Sequence, residues 1–454
     1  EELISYIKKK TEKLHKKKYM IGDIGFFSGF FKFPENFNQP VIVSSTDGVG
    51  TKILVSQIMD NYSTIGIDLV GMNVNDVSVS GAKVLFLLDY IAVGELKGER
   101  EKAIIDGIVD GCKMADCVLV GGEIAQMKDV YGENGFDLAA FCVGVIEKNK
   151  IVDGSKIKKG DVIIGISSNG VHSNGFSLLR KVFKNSDYKK YYKEIEKKLG
   201  DELLKPTYIY SPLLTKLADN KMIKGAAHIT GGGIKGNLVR LIRGNLKCVI
   251  NKNKWEVPPI FDIIKKEGKI SESEMFDVFN MGIGLILVVS PDNVNNVLNL
   301  IKKYKFSSFV IGEVKEGEKE VVLLWFNFWY KKKLFFQFRR GDEKMEKRLR
   351  ILVIMAHPDD SDINCGGLAL KYTQKGHIVK FVSTTNGGTG HYKIGGIELI
   401  RRRYEEAQNS AKIAKLYEYQ ILDWHTGELE PIVEKRKVII KIIRDFKPDL
   451  IITH

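Results

Sequence analysis

Glycines and acids recur beside apolar runs in this chain, a combination able to hold a phosphate and its counter-ion. Asp47-Gly48-Val49-Gly50-Thr51-Lys52 follows the run VIVSST. Glycines permit a tight turn and close approach of backbone to ligand. An Asp beside them can hold Mg²⁺, and Lys52 can face phosphate. The G-x-x-x-x-G-K-[ST] spacing of a Walker loop is absent, so the segment alone reads equally as a glycine turn with a capping Asp. More acids follow. Asp68 and Asp76 lie in GIDLVGMNVNDV, with Asn73 and Asn75 beside them, Asp89 ends VLFLLD, and Glu123 follows Gly121-Gly122 in LVGGE. Carboxylates at strand ends can converge on one sheet edge, and Mg²⁺ takes a few of them plus phosphate oxygens.

Two later segments are neutral and glycine-rich. Ser167 to Gly175, SSNGVHSNG, leads into FSLLRK, and Thr230-Gly231-Gly232-Gly233 precedes another helical stretch. Free N–H groups at helix starts bind phosphate, while a glycine triplet is otherwise a flexible loop. His172 reads as an acid–base group or as an ordinary hydrogen-bonded histidine. Far downstream, Ala356-His357-Pro358-Asp359-Asp360 follows ILVIM. A His and an Asp three residues apart on a strand-to-helix turn can bind one Zn²⁺, and a second Asp can deprotonate metal-bound water. A lone HPDD is otherwise a turn.

The elements that must position these groups alternate along the chain. Residues 41–45, 84–88, 117–120, 139–145, 162–166, 285–289 and 321–324 read as strands, and 99–114, 175–182, 208–218 and 293–304 as helices. This is an α/β pattern with mixed sheets and a subdomain boundary at 151–160. After Leu324 the text changes to WFNFWY and KKKLFFQFRRGDEK, and Met345 opens a new pattern. Strand 350–355, a glycine turn, helix 368–375, strand 378–383 and helix 398–416 predict the first half of a Rossmann-like domain, ending in DLIITH at His454.

Composition excludes several classes. With 454 residues, 44% hydrophobic and 28% charged, disorder, collagen and coiled coil are disfavoured. Five cysteines without a C-x-x-C pair argue against a disulfide framework and fit a cytoplasmic protein. No apolar run reaches the roughly 20 residues of a membrane helix. The net charge of +14 invites nucleic acid, but residues 1–18 carry +4 of it and residues 331–350 carry +6. The excess sits in two short segments, so no nucleic-acid partner is expected.

The blocks DGVGTK, GIDLVGMNVND, LVGGE, FCVGVIEK, SSNGVHSNGFSLLRK, HITGGG and MFDVFNMGIG stand in the order found in phosphoribosylformylglycinamidine cyclo-ligase, the aminoimidazole ribonucleotide synthetase family, and the resemblance spans residues 1–324. It implies an ATP-dependent ligase of purine biosynthesis. Formylglycinamidine ribonucleotide is converted to aminoimidazole ribonucleotide, with release of ADP and phosphate. It also implies a homodimer with a shared barrel, and two subdomains, residues 1–148 (ATP and dimerisation) and 149–324. The implied magnesium ligands are Asp47, Asp76 and Glu123. Asp47, Lys52, Asp76 and His172 are the implied catalytic residues, with Lys52 on phosphate and His172 as polariser. Asp68, Asp89, Gly121, Gly122, Glu123, Ser173, Asn174, Thr230, Gly231, Gly232 and Gly233 are the implied ATP and substrate contacts. Thiamine-phosphate kinase and selenophosphate synthetase share this architecture and are the alternatives. Asn73 stands where the family has Cys, and Ile124, Gln126 and Lys128 replace a Thr, a Glu and a Pro.

HPDD, TTNGG and RRRYEEAQNSAKI resemble the LmbE/PIG-L-type zinc N-deacetylases over residues 345–454, about half of such a domain. By that resemblance His357 and Asp360 are zinc ligands and Asp359 the general base, while Arg403 and Glu406 match the R-x-x-E-A helix. Ser361 and Gly388 replace family acids, and the third ligand's H-P-D-H stretch is not reached. Deacetylase activity is therefore not expected. The cyclo-ligase family's N-terminal Y-x-x-A-G-V segment is also absent. The two halves read as a bifunctional protein or as adjacent frames translated together, with 325–344 as linker or spacer and Met345 as a second start. The missing first segment, the odd spacer and the cut-off end favour the latter.

Overall fold

A computed structural model describes every residue except 1, 13, 15–18, 23, 25–26, 325–347, 390, 392–393, 428, 431 and 454. The spacer 325–344, Met345, part of the basic run at 1–18 and His454 lie outside the described residues. The chain divides into two compact units, Glu1–Leu324 and Trp325–His454.

The first unit opens with helix α1 (Glu2–Thr11) and then builds a four-stranded sheet. Its strands are β1 (Pro40–Gly48), β2 (Lys83–Val93), β3 (Val118–Gln126) and β4 (Phe136–Glu147), in the order β1-β4-β2-β3. Only the β2–β3 pair is parallel. One face packs on helices α3 (Ile65–Ser78) and α4 (Glu99–Ala115), and α2 (Lys52–Met59) lies against α3. Along β4 buried Leu138, Ala140 and Cys142 alternate with more exposed Ala139 and Phe141, the period-two signature of a sheet with one covered face.

Residues 151–160 cross from β4 to β5 (Val162–Ser167), the first strand of a six-stranded mixed sheet. Its other strands are β6 (Gly225–His228), β7 (Leu246–Asn251), β8 (Ile283–Val289), β9 (Ser308–Glu316) and β10 (Glu320–Leu324), ordered β6-β8-β5-β9-β7-β10. β8 is buried at every residue, which is why its sequence IGLILVV is apolar throughout instead of alternating. Helices α5 (Phe176–Val182), α6 (Ser211–Asp219) and α7 (Gly233–Leu238) complete the parts that bear on the site.

Two expectations change. Asp68 and Asp76 do not end strands; both lie on α3, where 12 of 14 residues are buried. A helix buried on nearly all sides loses its polar stripe and imitates an apolar strand run. The helix expected at 208–218 starts only at Ser211, because the Asn75 side chain takes the Tyr208 carbonyl and the Tyr210 N–H as its own partners before the helix begins.

The second unit has four parallel strands, β11 (Arg350–Met355), β12 (Ile378–Ser383), β13 (Glu418–Ile421) and β14 (Leu450–Thr453), ordered β13-β12-β11-β14. The helices are α8 (Asp360–Gln374), α9 (Gly396–Ile413) and α10 (Val433–Phe446). Separate apolar clusters form around Val353, Phe381 and Tyr419 and around Leu352, Val382 and Phe446, as a doubly covered parallel sheet requires.

Candidate active site

Sheet register sorts the acids of the first unit. Asp47, Ala140, Asp89 and Gly122 face one another in one row across β1, β4, β2 and β3. Paired residues share a face, so Asp47 and Asp89 point to the helix side, two strands or about 10 Å apart. The next row is Gly48, Ala139, Tyr90 and Glu123. Glu123 is exposed on the opposite face, so the expected grouping of Asp47, Asp76 and Glu123 is not assembled. Among the described residues no group of three or more His, Cys, Asp or Glu gathers as a metal site.

What assembles instead is a pair of carboxylates with a histidine. Asp76 Oδ1 lies 2.8 Å from Nδ1 of His228, the last residue of β6, and Asp76 keeps 38% of its side chain exposed. His228 is buried, with Nε2 3.4 Å from Asn75 Nδ2. Asp47 joins this group from the end of β1. Burial pushes its carboxyl up; the Gly48 N–H opposes this, while the Asp76 charge adds to it. Asn73 fixes the Asp47 backbone, accepting its N–H at 2.9 Å and donating to its carbonyl at 3.0 Å. Asp89 stands apart. Its carboxylate lies over Gly122, where an added Cβ would come within 2.1 Å of Oδ1, and burial pushes its pKa up to about 7.

Lys52 does not face solvent. Its ammonium is fully buried, 2.8 Å from Asp68 Oδ2, and donates to the carbonyls of His172 at 3.0 Å and Lys205 at 2.7 Å. Burial lowers its pKa and Asp68 opposes that. Asp68 Oδ1 accepts from Ser173 Oγ (3.0 Å), the Thr207 N–H (2.8 Å) and Thr207 Oγ1 (2.8 Å). Lys52, Asp68 and Ser173 thus bind one another, with their polar atoms turned inward.

His172 is also buried. Its Nε2 accepts the Asn169 N–H at 3.0 Å, which assigns the proton of a neutral ring to Nδ1; that atom has no hydrogen-bond partner. Burial, with the His228 and Lys52 charges adding, holds the ring well below the usual histidine range. A neutral ring in this pocket is an acceptor for its own loop. Asn174 Oδ1 accepts the Gly231 N–H at 3.0 Å, and Asn237 Nδ2 donates to the Thr230, Gly231 and Gly233 carbonyls. Gly231 and Gly232 are exposed, whereas Gly233 has φ +57° and a Cβ there would meet the Phe276 carbonyl oxygen at 2.0 Å.

Sequence reasoning passed over His228 and Asn75 as site residues. The available signal was a polar residue closing a strand two positions before the Thr of TGGG, and an Asn one residue before Asp76 on the same helix.

In the second unit the HPDD turn joins β11 to α8. Asp360 Oδ2 is 3.2 Å from His357 Nδ1 and accepts the His357 N–H at 2.8 Å. Asp359 is paired with Arg403 of α9 at 2.8 Å. Two candidate zinc ligands stand together, and the described residues bring no third to them. That set does not fill a tetrahedral zinc shell.

Residues 36–146 match the N-terminal domain, and residues 158–324 the C-terminal domain, of the AIR synthase related proteins. Residues 352–454 match the GlcNAc-PI de-N-acetylase family. The chain is 50% identical over 305 residues to the phosphoribosylformylglycinamidine cyclo-ligase of Pseudothermotoga lettingae, covering 67% of this chain and 90% of that one. It is 48% identical over 303 residues to that of a Thermoanaerobacter species, covering 66% and 90%. A solved thiamine-monophosphate kinase from Stenotrophomonas maltophilia superposes with TM-score 0.53 at 16% identity, covering 71% of this chain and 95% of that one. That likeness speaks for the fold alone.

Proposed function

The chain belongs to the phosphoribosylformylglycinamidine cyclo-ligase family, and on that premise we propose how its first unit closes an imidazole ring at the expense of ATP. What carries the assignment is half identity over nine-tenths of a cyclo-ligase. The substrate is formylglycinamidine ribonucleotide. Its formyl amide oxygen leaves poorly until phosphorylated; the amidine nitrogen then attacks that carbon, and phosphate departs with the oxygen. Phosphoryl transfer of this kind asks the protein for position and charge more than for covalent chemistry.

Asp47 and Asp76 would hold a magnesium ion, which would supply positive charge for the ATP phosphates. They come from different elements, lie within electrostatic reach, and Asp76 is partly open to solvent. His228 orients Asp76, and Asn73 orients the Asp47 backbone. Asn174 holds the exposed glycine turn through the Gly231 N–H, and the next N–H, that of exposed Gly232, serves the substrate phosphate. His172 and Ser173 support the loop from within. Asp89 and Glu123 lie outside this group.

On its outer face the first sheet exposes Ile42 (56%), Phe141 (43%) and Tyr90 (39%), which supports a homodimer through that face. Light scattering at twice the 51.2 kDa chain mass is expected. No described helix is long and apolar enough to cross a membrane, in keeping with a cytoplasmic enzyme. The decisive assay supplies ATP and formylglycinamidine ribonucleotide. Aminoimidazole ribonucleotide should form in step with ADP; ADP release without ring product would overturn the reading.

A further inference from the structure

A polar seam runs between the two subdomains of the first unit. Three residues of one stretch, Thr64, Asp68 and Asn75, bind the backbone of the irregular segment that follows Leu203. Thr64 Oγ1 donates to the Leu204 carbonyl at 2.6 Å, Asp68 accepts the Thr207 N–H, and Asn75 bonds the Tyr208 carbonyl and Tyr210 N–H at 2.8 Å each. Lys52 reaches the same segment at Lys205. The seam therefore holds two charged groups that have no exposed surface.

Burying an ion pair is costly, and apolar residues of similar volume often serve stability as well or better. The location suggests what this pair does. Lys52 begins α2 directly after the Asp47–Thr51 turn, so its position is tied to that of Asp47. Its ammonium holds the carbonyl of His172, a non-glycine residue with φ +61° inside the SSNGVHSNG loop. That left-handed conformation is unfavourable for an L-residue and persists only where surroundings impose it. Asp68 holds Ser173, the next residue. Asn174 follows and anchors Gly231 of the exposed glycine turn. One buried ion pair thus connects the acid end of β1 to the glycine turn through five consecutive links.

We propose that Lys52 and Asp68 are positioning residues: together they set the spacing between the Asp47 turn and the Asn174–Gly231 cradle, and hence between the phosphate donor and the ribonucleotide. The inference rests on the cyclo-ligase reading.

The test separates positioning from stability. In Lys52→Met/Asp68→Asn both buried charges are removed together, so no uncompensated charge remains. Expected are a Tm within about 5 °C of the parent and a kcat for cyclisation lower by about 100-fold, with KM for ATP changed less than about threefold, since donor binding at Asp47 is left in place. Thr64→Val is the control, removing a bond elsewhere on the seam; it should lower Tm and leave kcat within about twofold. Should the double variant not fold, Thr207→Val removes only one of the hydroxyls on Asp68 and should lower kcat by about threefold to tenfold at unchanged KM for ATP. A folded double variant with parental kcat, or a Thr64→Val loss of kcat as large as that of the charge-free variant, would overturn the proposal. The parent enzyme is assayed first, so absence of ring product there refutes the cyclo-ligase reading and not the positioning role.

Discussion

The acidic groups of the two units are bonded over different scales of sequence. In the first, Lys52 reaches His172 across 120 residues, Asp68 reaches Thr207 across 139 and Asp76 reaches His228 across 152. In the second, His357 pairs with Asp360 three residues on, and the longest link of the HPDD carboxylates is Asp359 to Arg403 across 44. The His357–Asp360 pair is closed within the turn, while Arg403 and the Tyr419 hydroxyl, which bonds the Pro358 carbonyl, tie that turn to its own small sheet and helix layer. A motif closed over long range exists only once two subdomains have met, and its geometry can be altered from either side.

That contrast can be broken or sharpened by substitution. The largest effect is expected at the exposed acid: Asp76→Asn should lower kcat for cyclisation by about 1,000-fold, read as ADP and ring product together. Only a loss below about tenfold would detach the carboxylate pair from the chemistry. Next comes the cradle. Gly233→Ala places a Cβ 2.0 Å from the Phe276 carbonyl oxygen at φ +57°; a stability loss of about 2–4 kcal/mol is expected in urea unfolding. Parental stability there would mean the turn can shift.

A smaller effect is expected at Asp89. Its pKa is raised from 3.8 to about 7. The unfolded chain gives up this proton near pH 4 and the folded chain keeps it to about 7, so stability falls as pH rises through that window and the full penalty stands above it. Asp89→Asn should therefore stabilise the protein by about 1–2 kcal/mol at pH 8, a gain that shrinks to nothing near pH 4. A gain constant with pH would assign it to packing. The smallest effect tests the local motif. His357→Ala should leave cyclisation within about twofold of the parent, and purified parent should hold well under one zinc per chain. Stoichiometric zinc with turnover of an N-acetyl sugar would return the second unit to catalysis.

How legible all this was in the sequence follows from the same distances. The glycine turns at 47–52, 167–175 and 230–233 were readable because their chemistry is local. The partners of Lys52 and Asp68 were not, since nothing in DGVGTK or GIDLVG indicates that their charges meet each other and not a ligand. α3 was misread because burial on nearly every side erased its period. Glu123 was placed with Asp47 because its face depends on register, and one residue of phase separates it from the Gly122 row. The long strands were found by their apolar cores and extended further than the runs suggested, as in Lys83–Val93 and Val118–Gln126. Polar residues at their ends are carried by ladder bonds and not by burial.

The order in which the polypeptide leaves the ribosome gives the seam another meaning. All four strands of the first sheet lie between Pro40 and Glu147, so that sheet can assemble while the rest is still being made. Until Ser173 and Thr207 emerge, Lys52 and Asp68 remain hydrated, and the nascent subdomain carries its acids with no cradle beside them. Domains generally fold as units in N-to-C order. The catalytic geometry then waits on residues as late as Gly231, so a chain stalled after Glu147 would have a folded first sheet and no glycine turn to set against its acids.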